Sequence, residues 1–307
     1  MIRIRFHGRG GQGMKTASRI VGTAALLDGF VAQDSPVYGA ERRGAPMSAY
    51  TRVSREPIYE RGVIPNPDLV VVADETLLDD PAVKPLLGLP PEGVLLIASA
   101  HPAEEVSEHT GHRGPIVARD FLELALEHLG SAAGISTALA AVACAMIGLS
   151  RSATVEALRK ELPAVGLDTG AVEASIRLAG LVGSGFSRID LERPSRSSLR
   201  AASPVVSVDY SPPEVGTPSI TAPPNTPLRR TGNWRVFKPI IDLEKCTQCW
   251  ICFVRCPEGA IELDAEENPH VDYDVCKGCL ICVEECPTRA ISKIRELRVW
   301  DPAEVPS

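Results

Sequence analysis

Aromatic residues are scarce in this chain of 307 residues, at 5%, so its core is expected to be aliphatic and rich in alanine. Basic charge is also lacking, because the formal net charge is −7 at pH 7. Proteins that bind nucleic acid through its phosphates usually carry a basic face, so no nucleic-acid partner is expected. No basic and apolar leader follows Met1, which favours a cytoplasmic protein.

Long apolar runs that could cross a membrane are lacking as well. Residues 132–149 form an 18-residue stretch without a charge, which is the lower limit for a spanning helix. Alanine dominates this stretch and contributes little to membrane insertion compared with leucine. We therefore expect a helix buried in a core, with no membrane contact. Cys144 within it is interpreted as a small buried residue without a redox role.

Three regions differ in composition. In residues 1–186, strand patterns alternate with helix patterns, which predicts an α/β domain with a mostly parallel sheet. Residues 187–233 hold eight prolines and eight serines and are interpreted as an extended linker, either ordered on partner surfaces or disordered. Residues 234–307 form a small acidic unit, predicted to be α+β. The expected strands of the first region are 2–6, 69–73 and 94–97, and its expected helices are about 14–27, 120–129, 135–148, 152–162 and 169–182.

Eight of the nine cysteines lie in the last region, in two copies of the pattern C-x2-C-x2-C-x3-C-P. This is the spacing of two-cluster ferredoxins, in which three cysteines hold one 4Fe–4S cluster and the fourth reaches the other. The pattern predicts two clusters with crossed ligands. One is assigned to Cys246, Cys249, Cys252 and Cys286, and the other to Cys276, Cys279, Cys282 and Cys256.

Two other uses of these cysteines fit the pattern less well. A pair of zinc sites would use four ligands each, but zinc binding does not require that the last cysteine follow an x3 spacing and precede a proline. Disulfides are disfavoured in a chain without a secretion signal. The doubled pattern therefore favours a ferredoxin-like module that carries electrons.

A glycine-rich loop follows the first predicted strand. Gly8, Gly10 and Gly13 satisfy G-x-G-x-x-G, and Asp34 lies about 20 residues on, as in dinucleotide-binding proteins. Such glycines let the backbone approach an anion at a helix amino terminus. The alternative is a tight turn without a ligand. The candidate binding residues of this loop are Gly8, Gly10, Gly11, Gln12 and Gly13.

A second candidate segment holds Glu41, Arg42 and Arg43 between glycines and prolines. Two adjacent arginines could clamp phosphates or carboxylates. They could equally pair with acidic groups across a subunit interface.

Three motifs together resemble a known family: GRGGQG at residues 8–13, YGAERRGAP at 38–46 and NPDLVVVAD at 66–74. The combination is similar to the gamma subunit of 2-oxoacid:ferredoxin oxidoreductases, and the cysteine module is similar to their delta subunit. The order of the parts resembles a fused gamma–delta chain. The resemblance covers about residues 1–182 and 234–296.

The resemblance implies a subunit of an enzyme that oxidatively decarboxylates a 2-oxoacid, with pyruvate as the default substrate and oxalate or another 2-oxoacid as alternatives. Thiamine diphosphate, Mg and a further 4Fe–4S cluster are then expected on alpha and beta partners, since this chain contains no Gly-Asp-Gly. Electrons would leave to ferredoxin, coenzyme A would be a co-substrate near the glycine and arginine loops, and the assembly would be a dimer of heterotrimers. The alternative function is an NAD- or FAD-binding iron–sulfur electron-transfer protein.

Overall fold

The computed structural model describes residues 1–36, 44–80, 83–183 and 231–296. The chain divides into two compact units, whose described parts are residues 1–183 and residues 231–296. The predicted linker lies outside the described residues except for 231–233. Glu41, Arg42 and Arg43 also lie outside them.

A six-stranded mixed sheet forms the centre of the first unit. The strand order is β2-β3-β1-β4-β5-β6. Strands β1, β4, β5 and β6 run parallel, whereas β3 pairs antiparallel with both β1 and β2. The predicted mostly parallel sheet is therefore confirmed, with an antiparallel pair added at one edge. The strands are β1 (Ile2–Arg9), β2 (Val31–Pro36), β3 (Pro46–Ser54), β4 (Leu69–Val72), β5 (Val94–Ala98) and β6 (Ile116–Arg119).

Helices cover this sheet, and their apolar faces form the main core. Helix α4 lies in the alanine-rich stretch without charge, is buried at every residue except Ala145, and packs beside α1 within this core. Its Cys144 is buried, and burial raises the thiol pKa to about 12, so the side chain packs as a small neutral group. The helices are α1 (Met14–Leu27), α2 (Ala103–Thr110), α3 (Phe121–Leu129), α4 (Ile135–Met146), α5 (Arg151–Glu161) and α6 (Thr169–Val182).

The two faces of β1 differ in chemistry because side chains alternate along a strand. Ile4 and Phe6 belong to the main core beneath the helices. Arg5 and His7 point to the opposite face and are nevertheless buried. Arg5 Nη1 and Nη2 donate to backbone carbonyls, including those of Ile64 and Pro85, whereas its buried Nε has no hydrogen-bond partner among the described residues. Strand β1, whose sequence alternates apolar and polar residues, is thus buried on both faces.

The sequence prediction found the long apolar elements and missed the shorter or more polar ones. All three predicted strands and all five predicted helices of the first unit exist. Strand β3 was missed because Pro46–Ser54 mixes polar and apolar residues without a regular period. The missed helix α2 buries only Val106 among its eight residues, so it carries little apolar signal.

The second unit is built from short elements that bracket the two cysteine motifs. Strand β7 (Phe237–Ile241) pairs antiparallel with β10 (Ile291–Arg295), and β8 (Ile261–Leu263) pairs antiparallel with β9 (Pro269–Val271). The one-turn helices α7 (Ile251–Arg255) and α8 (Ile281–Glu284) pack against each other. The apolar residues that follow each cysteine motif, at 260–263 and 290–294, predict a strand there, and β8 and β10 are those strands.

Among the described residues, no helix has both the length and the apolarity that a membrane crossing needs.

Gly8 should be required by packing in this fold. A Cβ at Gly8 would lie 2.4 Å from Met14 Cγ and 3.3 Å from Ala73 Cβ. Gly8→Ala is therefore expected to lower the free energy of unfolding by about 1–3 kcal/mol, as overpacking does. Urea denaturation followed by circular dichroism measures this.

Gly22→Ala is the matched control. Its Cβ would have ordinary contacts at 3.8 and 4.0 Å inside α1, so the unfolding free energy should stay level or rise by up to about 1 kcal/mol. Equal effects of the two substitutions would contradict the packing argument.

Candidate functional site: two cysteine loops and a glycine turn

The two cysteine motifs are structural repeats of one another. Each cysteine of the second motif lies 30 positions after its counterpart, as in Cys246 and Cys276 (276 − 246 = 30). Each third cysteine lies on a one-turn helix, α7 or α8. Among the described residues all nine cysteines are free thiols.

Left-handed backbone positions recur at equivalent places in both loops. Gln248 and Gly278 have φ of 52° and 63°, and Trp250 and Leu280 have φ of 55° and 63°. Alternation of right- and left-handed residues turns successive N–H groups toward one concave side, which suits an anionic group such as an iron–sulfur cluster. The loops are therefore shaped by the backbone as well as by the cysteine spacing.

The fourth cysteine of the first motif lies with the second motif. A cavity is lined by Cys256 together with Cys276, Cys279 and Cys282. Leu280 and Ile261 supply part of its apolar wall. This is the cysteine set that the crossed-ligand spacing assigns to one cluster.

The thiol pKa values reflect crowding among these cysteines. Burial raises the pKa of Cys282 to about 12, with further contributions from Cys276, Cys279, Cys256 and Cys252. Burial also raises the pKa of Cys252, and its own neighbours Cys246 and Cys249 add to the effect. Crowded thiolates repel one another, and iron bound between them removes that repulsion. The donor set therefore fits a thiolate-bound metal cluster.

Backbone amides donate to two of the sulfurs at equivalent places. Ala260 N donates to Cys256 Sγ at 3.3 Å, and Ala290 N donates to Cys286 Sγ at 3.2 Å. Both cysteines are the fourth members of their motifs. Hydrogen bonds to ligand sulfurs tune cluster potentials, so the repeats share one part of that environment.

The glycine loop of the first unit is closed by its own side chains. Gly8 lies in β1, Gly11 has φ of 99°, and Gly13 has φ of 71° directly before α1. Gln12 is buried, its Oε1 accepts from Arg9 N at 2.7 Å, and its Nε2 donates to Asp74 Oδ2 at 3.1 Å. Gln12 thus joins the glycine loop to Asp74, which lies just after the end of β4.

Arg9 makes the central contacts of this hydrogen-bond network, and its side chain is fully buried. Its Nε donates to Asp74 Oδ2 and to Thr76 Oγ1, both at 3.1 Å. Losing either charge of a buried pair leaves the other uncompensated, at a cost of about 3–5 kcal/mol. Sequence reasoning missed Arg9 and Asp74 as partners, because they lie 65 positions apart.

The two candidate binding motifs of this unit meet at Gly10. Gly10 N donates to Ala45 O at 2.8 Å, and Gly44 N donates to Gly10 O at 3.0 Å. Glu41, Arg42 and Arg43 directly precede Gly44 in the sequence, although they lie outside the described residues. The structure therefore brings the described end of the arginine segment to the glycine loop.

Asp34 does not lie where a dinucleotide-binding acid would. In that fold the strand that carries the acid is the direct neighbour of the first strand. Here β3 separates β2, which carries Asp34, from β1. Two strand spacings, about 10 Å, then lie between Asp34 and the strand that leads into the glycine loop. The strand order removes the main support for the NAD or FAD alternative.

Known protein families match both units of this chain. An α/β unit followed by paired cysteine loops is the architecture of an iron–sulfur oxidoreductase subunit. The model for pyruvate ferredoxin/flavodoxin oxidoreductase matches residues 3–181, more than half of the chain, and a 4Fe–4S dicluster model matches residues 238–293. The chain belongs to the pyruvate ferredoxin/flavodoxin oxidoreductase family, as a gamma-type subunit that also carries a 4Fe–4S dicluster domain.

Individual relatives match the first unit. The chain is 42% identical over 162 residues to the common gamma subunit of the pyruvate/ketoisovalerate oxidoreductases of Pyrococcus furiosus, covering 52% of this chain and 86% of that protein. It is 44% identical over 128 residues to pyruvate synthase subunit PorC of Thermotoga maritima, covering 42% and 65%. The crystal structure of a pyruvate oxidoreductase subunit PORC from Thermotoga maritima superposes with a TM-score of 0.50 at 33% identity, covering 59% and 94%.

His7 should make this unit sensitive to acid. Burial lowers its pKa to about 3, and Arg5 adds to the effect, so the ring is neutral in the folded chain. Unfolding frees it to bind a proton below about pH 6.5. Its contribution to stability is thus present above pH 6.5 and is lost as pH falls toward 3. Between pH 7 and 5 the free energy of unfolding should fall by about 2 kcal/mol on this account.

His7→Asn should remove that part of the pH dependence. Ser48 Oγ, 3.1 Å from His7 Nδ1, remains available to the amide. Urea denaturation of both proteins across this pH range measures the two slopes. Identical slopes would show that His7 is not the group responsible.

Proposed function

We propose that this chain is the electron-transferring gamma–delta subunit of a thiamine-diphosphate-dependent 2-oxoacid:ferredoxin oxidoreductase, with pyruvate as the first substrate to test. The observation that carries the proposal is the cavity lined by Cys256, Cys276, Cys279 and Cys282 in a chain of this family. Relatives of the first unit are named as subunits of pyruvate/ketoisovalerate oxidoreductases and of pyruvate synthase, which supports pyruvate as the substrate to test first, with oxalate or another 2-oxoacid as alternatives.

The cavity and the repeat support the crossed ligand assignment. Cys256 lines one cavity with three cysteines of the second motif. Cys286 is the repeat counterpart of Cys256, and both accept from the alanine four residues later. By this equivalence Cys286 joins Cys246, Cys249 and Cys252. We propose these two sets as the ligands of two 4Fe–4S clusters.

When bound, the clusters would supply one-electron carriers between the reacting centre and an external acceptor, proposed to be ferredoxin. The residues of this chain hold them. The cysteines would provide thiolate ligands, the left-handed loop positions shape the two loops, and Leu280 and Ile261 line one cavity beside the cysteines.

In this proposal the decarboxylation of the 2-oxoacid takes place on other chains. The chain contains no Gly-Asp-Gly to hold Mg and the diphosphate of thiamine. The relatives named above are themselves subunits, which supports alpha and beta partners that carry thiamine diphosphate, Mg and a further 4Fe–4S cluster. We propose a dimer of heterotrimers in the cytoplasm.

Coenzyme A is proposed to contact the glycine and arginine loops. The residues concerned are Gly8, Gly10–Gly13 and Glu41–Arg43. The hydrogen bonds between Gly10 and residues 44–45 support this, because they bring the end of the arginine segment to the glycine turn. Gln12 and Arg9 fill the inside of the turn, so a ligand would meet its outer backbone.

The first experiment tests the ligand sets. The full-length chain, purified without oxygen, should contain about eight irons and show two reducible clusters by electron paramagnetic resonance. Cys249→Ser should remove one cluster signal. Cys256→Ser should remove the other signal, the one also lost in Cys279→Ser, although Cys256 and Cys249 share a motif.

Cys144→Ala is the matched control, because Cys144 is buried in the first unit and should leave iron content and spectra unchanged. Loss of one and the same signal in Cys249→Ser and Cys256→Ser would contradict crossed ligation. Zinc in place of iron would contradict the function itself.

The second experiment tests the reaction. Together with its partner subunits, the chain should reduce ferredoxin with pyruvate and coenzyme A, and the complex should contain thiamine diphosphate and no flavin. The double substitution Arg42→Ala and Arg43→Ala should raise the KM for coenzyme A about tenfold or more, because charge-assisted contacts to phosphate are lost.

A failure of assembly with a normal KM in the residual complex would assign the two arginines to an interface instead. Bound flavin, or NADH binding that Asp34→Ala abolishes, would favour the dinucleotide-binding alternative.

A further inference from the structure

The two cysteine loops have the same spacing but are held by different parts of the chain. In the first loop, Gln248 Nε2 donates to Glu266 O and to Asn268 Oδ1, both at 3.0 Å. Trp250 Nε1 donates to Glu267 O at 3.1 Å. The turn between β8 and β9 therefore supports the first loop.

The second loop is held instead by residues 231–236, which we call the strap. Thr231 Oγ1 donates to Val275 O at 2.6 Å, and Gly232 N donates to Asp274 O at 2.8 Å. The Lys277 ammonium lies 5.0 Å from the centre of the Trp234 ring. The sequence analysis places residues 231–233 in the linker, whereas the structure shows that they belong to the second unit.

Arg235 makes the central contacts of the strap. Its Nη1 donates to the carbonyl oxygens of Tyr273 and of Cys276, the latter at 2.8 Å. Its Nε and Nη2 donate to the two carboxylate oxygens of Glu296 at 2.6 and 2.8 Å. The guanidinium side chain is 5% exposed, so these bonds are shielded from water. One fork therefore fixes the backbone on both sides of the turn that leads into the ligand loop.

The strap and the first residue of β7 explain why the second loop has Gly278 where the first has Gln248. Both positions adopt a left-handed backbone, and the first loop accommodates a glutamine there. A Cβ at Gly278 would lie 2.4 Å from Phe237 O and 3.2 Å from Arg235 Cβ. The space that the Gln248 side chain uses in one loop is thus taken up by the chain around Arg235 in the other.

We propose that the strap belongs to the second cysteine loop, and that Arg235 is the positioning residue that holds this loop in ligand geometry. The strap then governs the cluster of Cys276, Cys279, Cys282 and Cys256 and leaves the other cluster independent. This inference rests on the cluster assignment proposed above.

The test uses the full-length chain prepared without oxygen. Arg235→Met should lower the iron content from about eight to about four per chain and remove the signal that is also lost in Cys279→Ser. The signal lost in Cys249→Ser should remain. Arg235→Lys should be impaired in the same way, because an ammonium keeps the charge but lacks the fork that reaches two carbonyls and a carboxylate.

Lys245→Met is the matched control. It removes a cation directly before Cys246, where Lys245 Nζ bonds Asp242 at 2.6 Å on the surface, and it should retain about eight irons. Gly278→Ala provides a second route, since its Cβ would push the loop away from the strap. It should lose the same cluster as Arg235→Met, whereas Gln248→Ala should keep that cluster.

The outcomes separate this inference from the function on which it rests. A wild-type chain without two clusters would overturn the proposed function. A wild-type chain with both clusters, combined with full iron in Arg235→Met and Gly278→Ala, would overturn the inference alone. Full recovery in Arg235→Lys would show that charge and not positioning is the role of Arg235. Equal loss of both clusters in Arg235→Met and Gly278→Ala would also contradict it.

Discussion

The contact on which the second unit depends is the approach of Cys256 to the loop of Cys276. This fourth cysteine lies with the three spaced cysteines of the other motif, in one shared cavity. The buried cluster of this unit consists of Ala260, Val275 and Cys276, which is a small core for some 65 residues. A unit of this size needs stabilisation beyond its core, and the proposed ligands shared between the two loops would supply it. Binding of iron and folding of this unit would then be coupled.

The first unit depends on its own apolar core, and its polar features serve the fold before any ligand. Arg9, Gln12 and Asp74 form a buried network behind the glycine turn. Gly8 is needed because Met14 and Ala73 leave no space for a Cβ. One feature of a dinucleotide fingerprint, Gly8, thus has a packing explanation here, and the strand order explains why another, Asp34, lies apart.

Sequence patterns predicted what local spacing determines. The cysteine motifs are local, and α1 and β4 have strong apolar periods, so these elements were found. The antiparallel strand β3 was not found, because its place beside β1 is set by a pairing across more than 40 positions, as between Phe6 and Ala49. The roles of Arg235 and Asp74 were also missed. Each acts through partners far along the chain, and nothing in the neighbouring residues signals such a contact.

Equal spacing in the two motifs does not produce two equal sites. Cys249 is exposed and its loop contacts the turn after β8, whereas Cys276 is buried beneath the strap. Cluster potentials depend on hydrogen bonds to sulfur, solvent exposure and nearby charge. Each site receives one equivalent hydrogen bond from an alanine amide. The solvent exposure of the two sites differs. Their charge differs too, because Lys277 of the second motif corresponds to the uncharged Thr247 of the first. Two carriers with the same ligands can therefore differ in potential, and the cause lies in the residues that hold the loops.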